Sequence, residues 1–342
     1  MCEIAFFSSP IGLGHATRDS AIIDNLENSS YKFFTGNAAT KFFKQCGYDV
    51  EDVYQPPKFD VEKGLLKNQL KWLWKYYKYY KNCKEISKEI ILKNKPKIII
   101  SDEDFASIAV AQELGIPNIL VTDILETRFT KGFGSIIEKK MNNTMKEMIK
   151  KCDKIIIPEN GNNEKNIIRT GPIVRRITKT REELRKKLGF TKKTITLSVG
   201  GTDAGKFLIK QTIEALKNND EVELVIVSGP NLQENTEKNI KSLGFVTNLH
   251  EIIHASDAVI SLAGKSTIDE SITYGTPGIF IPIKDHFEQE DNAKELGYSF
   301  DDIFRLEQLI REKLKENRNP IKSYGAINAS SAIELVLSGN SQ

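Results

Sequence analysis

Short β-rich apolar runs alternate with helical stretches along the whole chain, and this alternation limits the fold to layered α/β structure on parallel sheets. In the first half the runs predict strands near 3–8, 31–35, 97–101, 117–122 and 153–157. In the second half they fall near 194–199, 222–228, 243–247, 257–262 and 278–283. Between the two series, Glu159 to Phe190 is polar, carries few strand signals and contains the turn Thr170-Gly171-Pro172. A linker is expected around Gly171, dividing the 342 residues into a domain at 1–170 and a second at 171–320. Residues 321–342 hold a final helical pattern that is expected to pack back on the first domain.

Composition narrows the class. Hydrophobic residues make up 39% and charged residues 28%, as in a water-soluble globular protein. A net charge of +3 gives no argument for nucleic acid. No apolar run reaches the ~18 residues that a membrane-crossing helix needs. The start, Met1-Cys-Glu-Ile-Ala-Phe-Phe-Ser-Ser9, enters a strand directly and has no signal-peptide pattern. Cys2, Cys46, Cys83 and Cys152 are dispersed, which favours reduced thiols and a cytoplasmic location.

The densest signal is Ser261-Leu-Ala-Gly-Lys-Ser-Thr-Ile-Asp-Glu270, followed by Gly275-Thr276-Pro277 and His286-Phe-Glu-Gln289-Glu-Asp-Asn292. A strand ending near Leu262 turns at Gly264 into a helix expected to start near Ser266. Such a helix offers unpaired N–H groups and a positive dipole end to an anion, here through Ser266 and Thr267. Glu270, one turn in, can accept from both hydroxyls of a ribose, and Gln289 and Asn292 share one helical face. Phosphate, ribose and sugar in a row make a nucleotide-sugar site. The plain alternative is local: Ser266-x-x-Asp269 spells a capping box, and Gly275-Thr276-Pro277 a helix end.

Both halves open with a strand and a glycine-rich turn, Gly12-Leu13-Gly14-His15 in the first and Gly200-Gly201-Thr202 in the second. Neither is a Walker sequence or a complete G-x-G-x-x-G. His15 falls in the first turn of its helix, where the dipole favours a neutral imidazole able to act as a base. Asp102, Glu103 and Asp104 follow the strand at 97–101, on the sheet edge where ligand chemistry gathers. One of them, assigned as Asp102, is placed to orient His15, and at least one is expected to cap the next helix.

Together these residues resemble the GT-B glycosyltransferases with a family 28 type of C-terminal domain. The match runs from Leu197 to about Ala293 and includes Gly244-Phe245-Val246…Leu249; in the first half it rests on Gly12-x-Gly14-His15. The resemblance implies two Rossmann-like domains with parallel sheets facing across a cleft, and an inverting transfer of sugar, N-acetylglucosamine by this likeness, from UDP-sugar to a hydroxyl. By carry-over Glu270 binds ribose, and Gly200, Gly201, Thr202, Gly264, Ser266 and Thr267 hold the diphosphate. Gln289 and Asn292 would hold the sugar, backbone around Thr247–Leu249 the base, and Gly12, Gly14 and Arg18 the acceptor. His15 would deprotonate that acceptor, with UDP-sugar as co-substrate and no metal. Leu262 stands where the cell-wall branch has arginine. Gly14-His15-x-x-Arg18 is also similar to the UDP-sugar hydrolases of pseudaminic acid synthesis, in which His15 would activate water. A non-catalytic nucleotide-sugar-binding subunit is a third reading.

Two stretches remain. His250-Glu-Ile-Ile-His254 spells the zinc-protease motif, but Ser256-Asp257 ends the segment early and no third ligand follows. Leu66, Leu70, Leu73, Tyr77 and Tyr80 form a stripe widened by Trp72, Trp74, Tyr76 and Tyr79, with Lys67, Lys71, Lys75 and Lys78 opposite. Leu66–Tyr80 is thus expected to pack on the core, to wall a sugar, or to lie peripherally on the cytoplasmic membrane face beside a lipid-linked acceptor.

Overall fold

A computed structural model describes residues 2–27, 29–130, 134–200, 203–229 and 239–339. In chain order the elements begin with β1 (Ile4–Ser8), α1 (Gly14–Ile23), β2 (Tyr31–Thr35), α2 (Asn37–Gln45) and β3 (Val50–Asp52). A hairpin, β4 (Asp60–Glu62) and β5 (Leu65–Lys67), precedes the long α3 (Gln69–Asn94). Then come β6 (Ile98–Asp102), α4 (Phe105–Leu114), β7 (Asn118–Val121), α5 (Gly134–Lys150), β8 (Lys154–Ile157) and β9 (Ile167–Arg169). The second half has α6 (Arg181–Leu188), β10 (Lys193–Val199), α7 (Asp203–Leu216), β11 (Val222–Ser228), β12 (Ile240–Gly244) and α8 (Leu249–Ala255). It closes with β13 (Ala258–Leu262), α9 (Lys265–Tyr274), β14 (Gly278–Ile281), α10 (Phe287–Glu295), a 3-10 turn (Phe300–Arg305), α11 (Leu306–Lys313) and α12 (Gly325–Leu337).

Two compact units result. The first comprises Met1–Lys58, Asn68–Val174 and Ser323–Gln342; the second comprises Phe59–Lys67 and Arg175–Lys322. The first unit holds a parallel sheet in the order β3-β2-β1-β6-β7-β8-β9. Its strands are nearly continuous apolar runs, as a sheet covered on both faces requires, and Ile98, Ile99 and Ile100 are at most 1% exposed. Each such side chain contributes roughly 1.5–3 kcal/mol by leaving water. The second unit holds the parallel sheet β12-β11-β10-β13-β14, whose core includes Ile195, Leu197, Leu208, Ile260 and Ile279.

The chain departs from the sequence reading in places. β12 lies at Ile240–Gly244 rather than 243–247, because Gly244 turns left-handed at φ 61° and ends the strand. The apolar signal of Val246 comes from a loop residue packed on the cluster of Leu184, Phe190, Val225, Val227 and Ile252. β9 lies inside the stretch that carried few strand signals. Leu66 is not part of the helical stripe: it belongs to the hairpin, where its N–H bonds the Lys284 carbonyl at 2.9 Å. The hairpin joins the second unit although its sequence lies in the first half. The terminal α12 lies in the first unit, where a Cβ on Gly325 would come within 2.1 Å of the Pro172 oxygen.

Candidate active site

In the first unit, β1 and β6 are neighbours with Ser8 opposite Asp102, and β2 and β7 lie outside them. Strand order therefore reverses between β1 and β6, which opens a crevice at their carboxyl ends. The chain leaves β1 through Gly12, whose φ of 89° is left-handed, while a Cβ there would meet open space. Conformation rather than room calls for glycine. α1 then starts at Gly14 with no side-chain cap and carries His15 in its first turn.

His15 Nδ1 lies 2.8 Å from Asp102 Oδ1. Arg18, one turn on, donates from Nε to Oδ2 at 2.8 Å and from Nη2 to Oδ1 at 2.5 Å. Burial opposes the charge on Asp102, yet Arg18 and His15 outweigh it and hold the carboxyl well below the usual carboxylate range. A carboxylate can only accept, so it fixes the proton of a neutral His15 on Nδ1 and leaves Nε2 with a lone pair. The ring is 17% exposed and so can be reached by a ligand.

Three further acids crowd this dyad. Asp123, after β7, places Oδ2 3.5 Å from Arg18 Nη1, and the arginine overcomes burial to keep it ionised. Asp19 is 0% exposed and lies against Asp102 and the Ser8 hydroxyl; burial and Asp102 push its carboxyl well up. Burial and Asp123 likewise push Glu103 up. Asp102 and Asp123, both depressed, thus flank Arg18, each beside an acid whose carboxyl is pushed up. Asp104 caps α4 by accepting from the Ser107 N–H at 3.2 Å, as the sequence led one to expect of one acid in the triplet. Arg18 differs from expectation. It is 4% exposed and its guanidinium is committed to buried Asp102, so it braces the carboxylate beside His15 rather than standing open to a ligand.

In the second unit the order reverses between β10 and β13, whose carboxyl ends carry Gly200 and Ala263-Gly264. Gly201 and Thr202 lie outside the described residues. Gly264 is the N-cap of α9 (φ −82°, ψ 133°) and provides no side chain, so Ser266-x-x-Asp269 is not a capping box. Ser266 sits inside the helix, and Asp269 instead receives Lys265 Nζ at 2.6 Å. Cβ atoms at Gly200 and Gly264 would meet nothing within 4 Å. The first-turn amides at Ser266 and Thr267 thus have an open approach and no side-chain competitor, the arrangement that receives a phosphate.

Glu270 is 4% exposed and is gripped by Arg175, whose Nε and Nη2 lie 3.0 and 2.9 Å from Oε1. Burial raises its carboxyl and Arg175 pulls it back. Holding Oε1 leaves Oε2 to accept from a ligand. Arg175 also donates from Nη1 to the Thr247 carbonyl at 2.6 Å, in the loop between β12 and α8, two residues before Leu249. That carbonyl is therefore occupied by the protein itself. Gln289 and Asn292 are both tied to the strand ends: Gln289 Oε1 accepts from the Ile283 N–H at 3.1 Å, and Asn292 Nδ2 donates to the Ala263 carbonyl at 3.2 Å. The zinc-like motif is spent on structure, since Glu251 bonds Lys187 at 2.8 Å and burial lowers His250 to about 3.

Arg175 is the residue that sequence reasoning missed. Its signal was only a basic pair after the Gly171-Pro172 turn, and its partner lies 95 positions away. Asp19, Glu103 and Asp123 were missed as a cluster because their common partner, Arg18, was read as a ligand contact.

Residues 195–330 match the family description "Glycosyltransferase family 28 C-terminal domain". An uncharacterised glycosyltransferase of Methanosarcina acetivorans is 26% identical over 325 residues, covering 86% of this chain and 84% of that one. One of Methanopyrus kandleri is 25% identical over 227 residues, and the match spans 62% of this chain and 64% of the relative. A UDP-N-acetylglucosamine–N-acetylmuramyl-(pentapeptide) pyrophosphoryl-undecaprenol N-acetylglucosamine transferase of Thermoanaerobacter is 30% identical over 172 residues, 45% of this chain and 47% of its own length. Among solved structures, the kitacinnamycin glycosyltransferase matches with a TM-score of 0.65 at 12% identity, covering 99% of this chain and 95% of that one. Parallel sheets with reversed strand order in both units, and these relatives, converge: the chain is a GT-B glycosyltransferase with a family 28-type C-terminal domain.

Proposed function

We propose that this glycosyltransferase moves a sugar, N-acetylglucosamine in the first instance, from a UDP-sugar to a hydroxyl on a lipid-linked acceptor, with inversion. The observation that carries the reading is the 2.8 Å contact from His15 Nδ1 to ionised Asp102, which leaves Nε2 as a base. The acceptor hydroxyl gives its proton to Nε2 while its oxygen attacks the anomeric carbon. The bond to the diphosphate breaks on the opposite side, and its electron pair leaves with UDP. In the second unit Glu270 takes the ribose, Gln289 and Asn292 the sugar, and the open start of α9 the diphosphate. Helix dipole and amides stabilise the leaving charge there, so this reading needs no metal ion. The donor assignment is supported by the likeness to the Thermoanaerobacter N-acetylglucosamine transferase.

A lipid-linked acceptor is supported by α3. Leu70, Trp74 and Tyr77 lie on one face at 52%, 61% and 38% exposure, and Lys78 and Lys81 stand over the Trp74 and Tyr77 rings at 5.5 and 4.8 Å. Trp72 on the opposite face is buried, as is Leu73 at the flank, so core packing accounts for that side alone. An aromatic face ringed by lysine suits the cytoplasmic surface of an anionic bilayer. No helix among the described residues is long and apolar enough to cross a membrane.

The test is UDP release from a panel of UDP-sugars, with and without native membranes. Release that depends on membranes and labels their lipid fraction supports the reading. Equal release without membranes, with free sugar as product, replaces it by a hydrolase in which His15 activates water.

A further inference from the structure

From the geometry around His15 we infer that Glu103 is a specificity-determining residue that grips a second hydroxyl of the acceptor, next to the attacking one, so that the acceptor presents a vicinal diol. This rests on the transferase reading above and names the acceptor chemistry at the same site.

Glu103 Oε2 lies 3.8 Å from His15 Nε2, the nitrogen that carries the lone pair. The separation is too long for the two to bond each other. It is wide enough for each to take its own hydroxyl, and the oxygens of a gauche vicinal diol stand about one hydrogen-bond length apart, about 2.8 Å. One hydroxyl at Nε2 and its neighbour at Oε2 therefore close a four-cornered arrangement. The carboxyl is aimed there by its other oxygen. Oε1 accepts from Thr122 Oγ1 at 3.1 Å and from the Asp123 N–H at 3.3 Å, while the Glu103 N–H bonds the Val121 carbonyl at 3.1 Å.

A second observation points the same way. Glu103 has φ 54°, a left-handed backbone that glycine adopts at no cost and glutamate does not. Backbone strain held next to a base is a reason to look for a functional demand on the side chain. A protonated or an ionised Glu103 serves equally, because Oε2 keeps a lone pair in both states.

The experiment uses the full-length protein and the UDP-sugar that gives UDP release. Acceptor probes are octyl glucoside, octyl galactoside and octyl mannoside, their monodeoxy analogues, and cyclohexanol. In the wild type, deleting the hydroxyl next to the attacking one should lower kcat/KM on the order of 10- to 100-fold. In Glu103→Gly the same deletion should change kcat/KM less than about 2-fold, because the partner is already gone. Glu103→Gly relieves the left-handed backbone but gives up the bonds from Thr122 and the Asp123 N–H, so a cooperative melt recorded beside the kinetics shows that the fold persists. Glu103→Gln, whose amide can still bond a hydroxyl, should keep an intermediate preference. Equal use of diols, deoxy analogues and cyclohexanol by the wild type overturns the inference, as does a preference that survives in Glu103→Gly. UDP release that no acceptor accelerates is a different failure: it removes the transferase reading, and this inference with it.

Discussion

His15, Asp102 and Arg18 form one unit, so each substitution has its own signature. His15→Ala removes the base and should lower transfer roughly 10²–10⁴-fold while UDP binding persists. Asp102→Asn should lose activity of similar order, because an amide no longer dictates which ring nitrogen carries the proton. It should also cost stability, about 3 kcal/mol, since Arg18 keeps only Asp123 at 3.5 Å. Denaturant titration beside the kinetics separates the two effects: His15→Ala should leave the unfolding midpoint nearly unmoved. On the donor side, Arg175→Ala should weaken UDP binding by calorimetry at least 10-fold, because it leaves Glu270 buried without its cation. The glycine turn at Gly12 and the His15–Asp102 pairing were legible one residue at a time. The Glu270–Arg175 pair and the Arg18 cluster were not, because long-range ion pairs leave no periodic trace in sequence.

At the scale of elements, most strands and helices could be read because fully buried parallel strands are short apolar runs between turn residues. The failures have physical causes. Gly264 caps α9 by conformation alone, so a sequence that spells a side-chain cap two residues later misplaces the cap. The α3 stripe was drawn from Leu66, whereas the helix starts at Gln69 and exposes Leu70, Trp74 and Tyr77. Replacing Trp74 and Tyr77 by serine should abolish sedimentation with vesicles containing phosphatidylglycerol and leave the melting temperature within about 2 °C. Undiminished sedimentation would remove α3 as the contact. Gly325→Ala should cost several kcal/mol, on the order of an overpacked core site, since its Cβ would strike the Pro172 oxygen at 2.1 Å. Thermal melting reads this directly.

Across the molecule, pH should act through the buried acids of the first unit. Asp19 binds its proton more tightly folded than unfolded, so its contribution is full below about pH 4 and fades as pH rises. Asp102 is the reverse case, present throughout neutral pH and lost only in acid. The Asp19 contribution should therefore lower stability as pH rises above about 4, and Asp19→Asn should flatten that fall; an unchanged slope would place the proton elsewhere. The division into two α/β units follows from the two series of strands, but its chain path does not. Phe59–Lys67 sits with the second unit, bonding Lys284 from both the Gly64 carbonyl and the Leu66 N–H at 2.9 Å, with Gly64 against Phe300 and Phe207. A gene fragment that begins at Arg175 would carry Glu270, Gln289, Asn292 and the start of α9 and still lack part of its own wall. Recombination between relatives would thus transplant this half in working order only if the short upstream hairpin travelled with it. A synthetic peptide of residues 59–67 added to the 175–322 fragment is the direct measure of that dependence, by restored solubility and UDP binding.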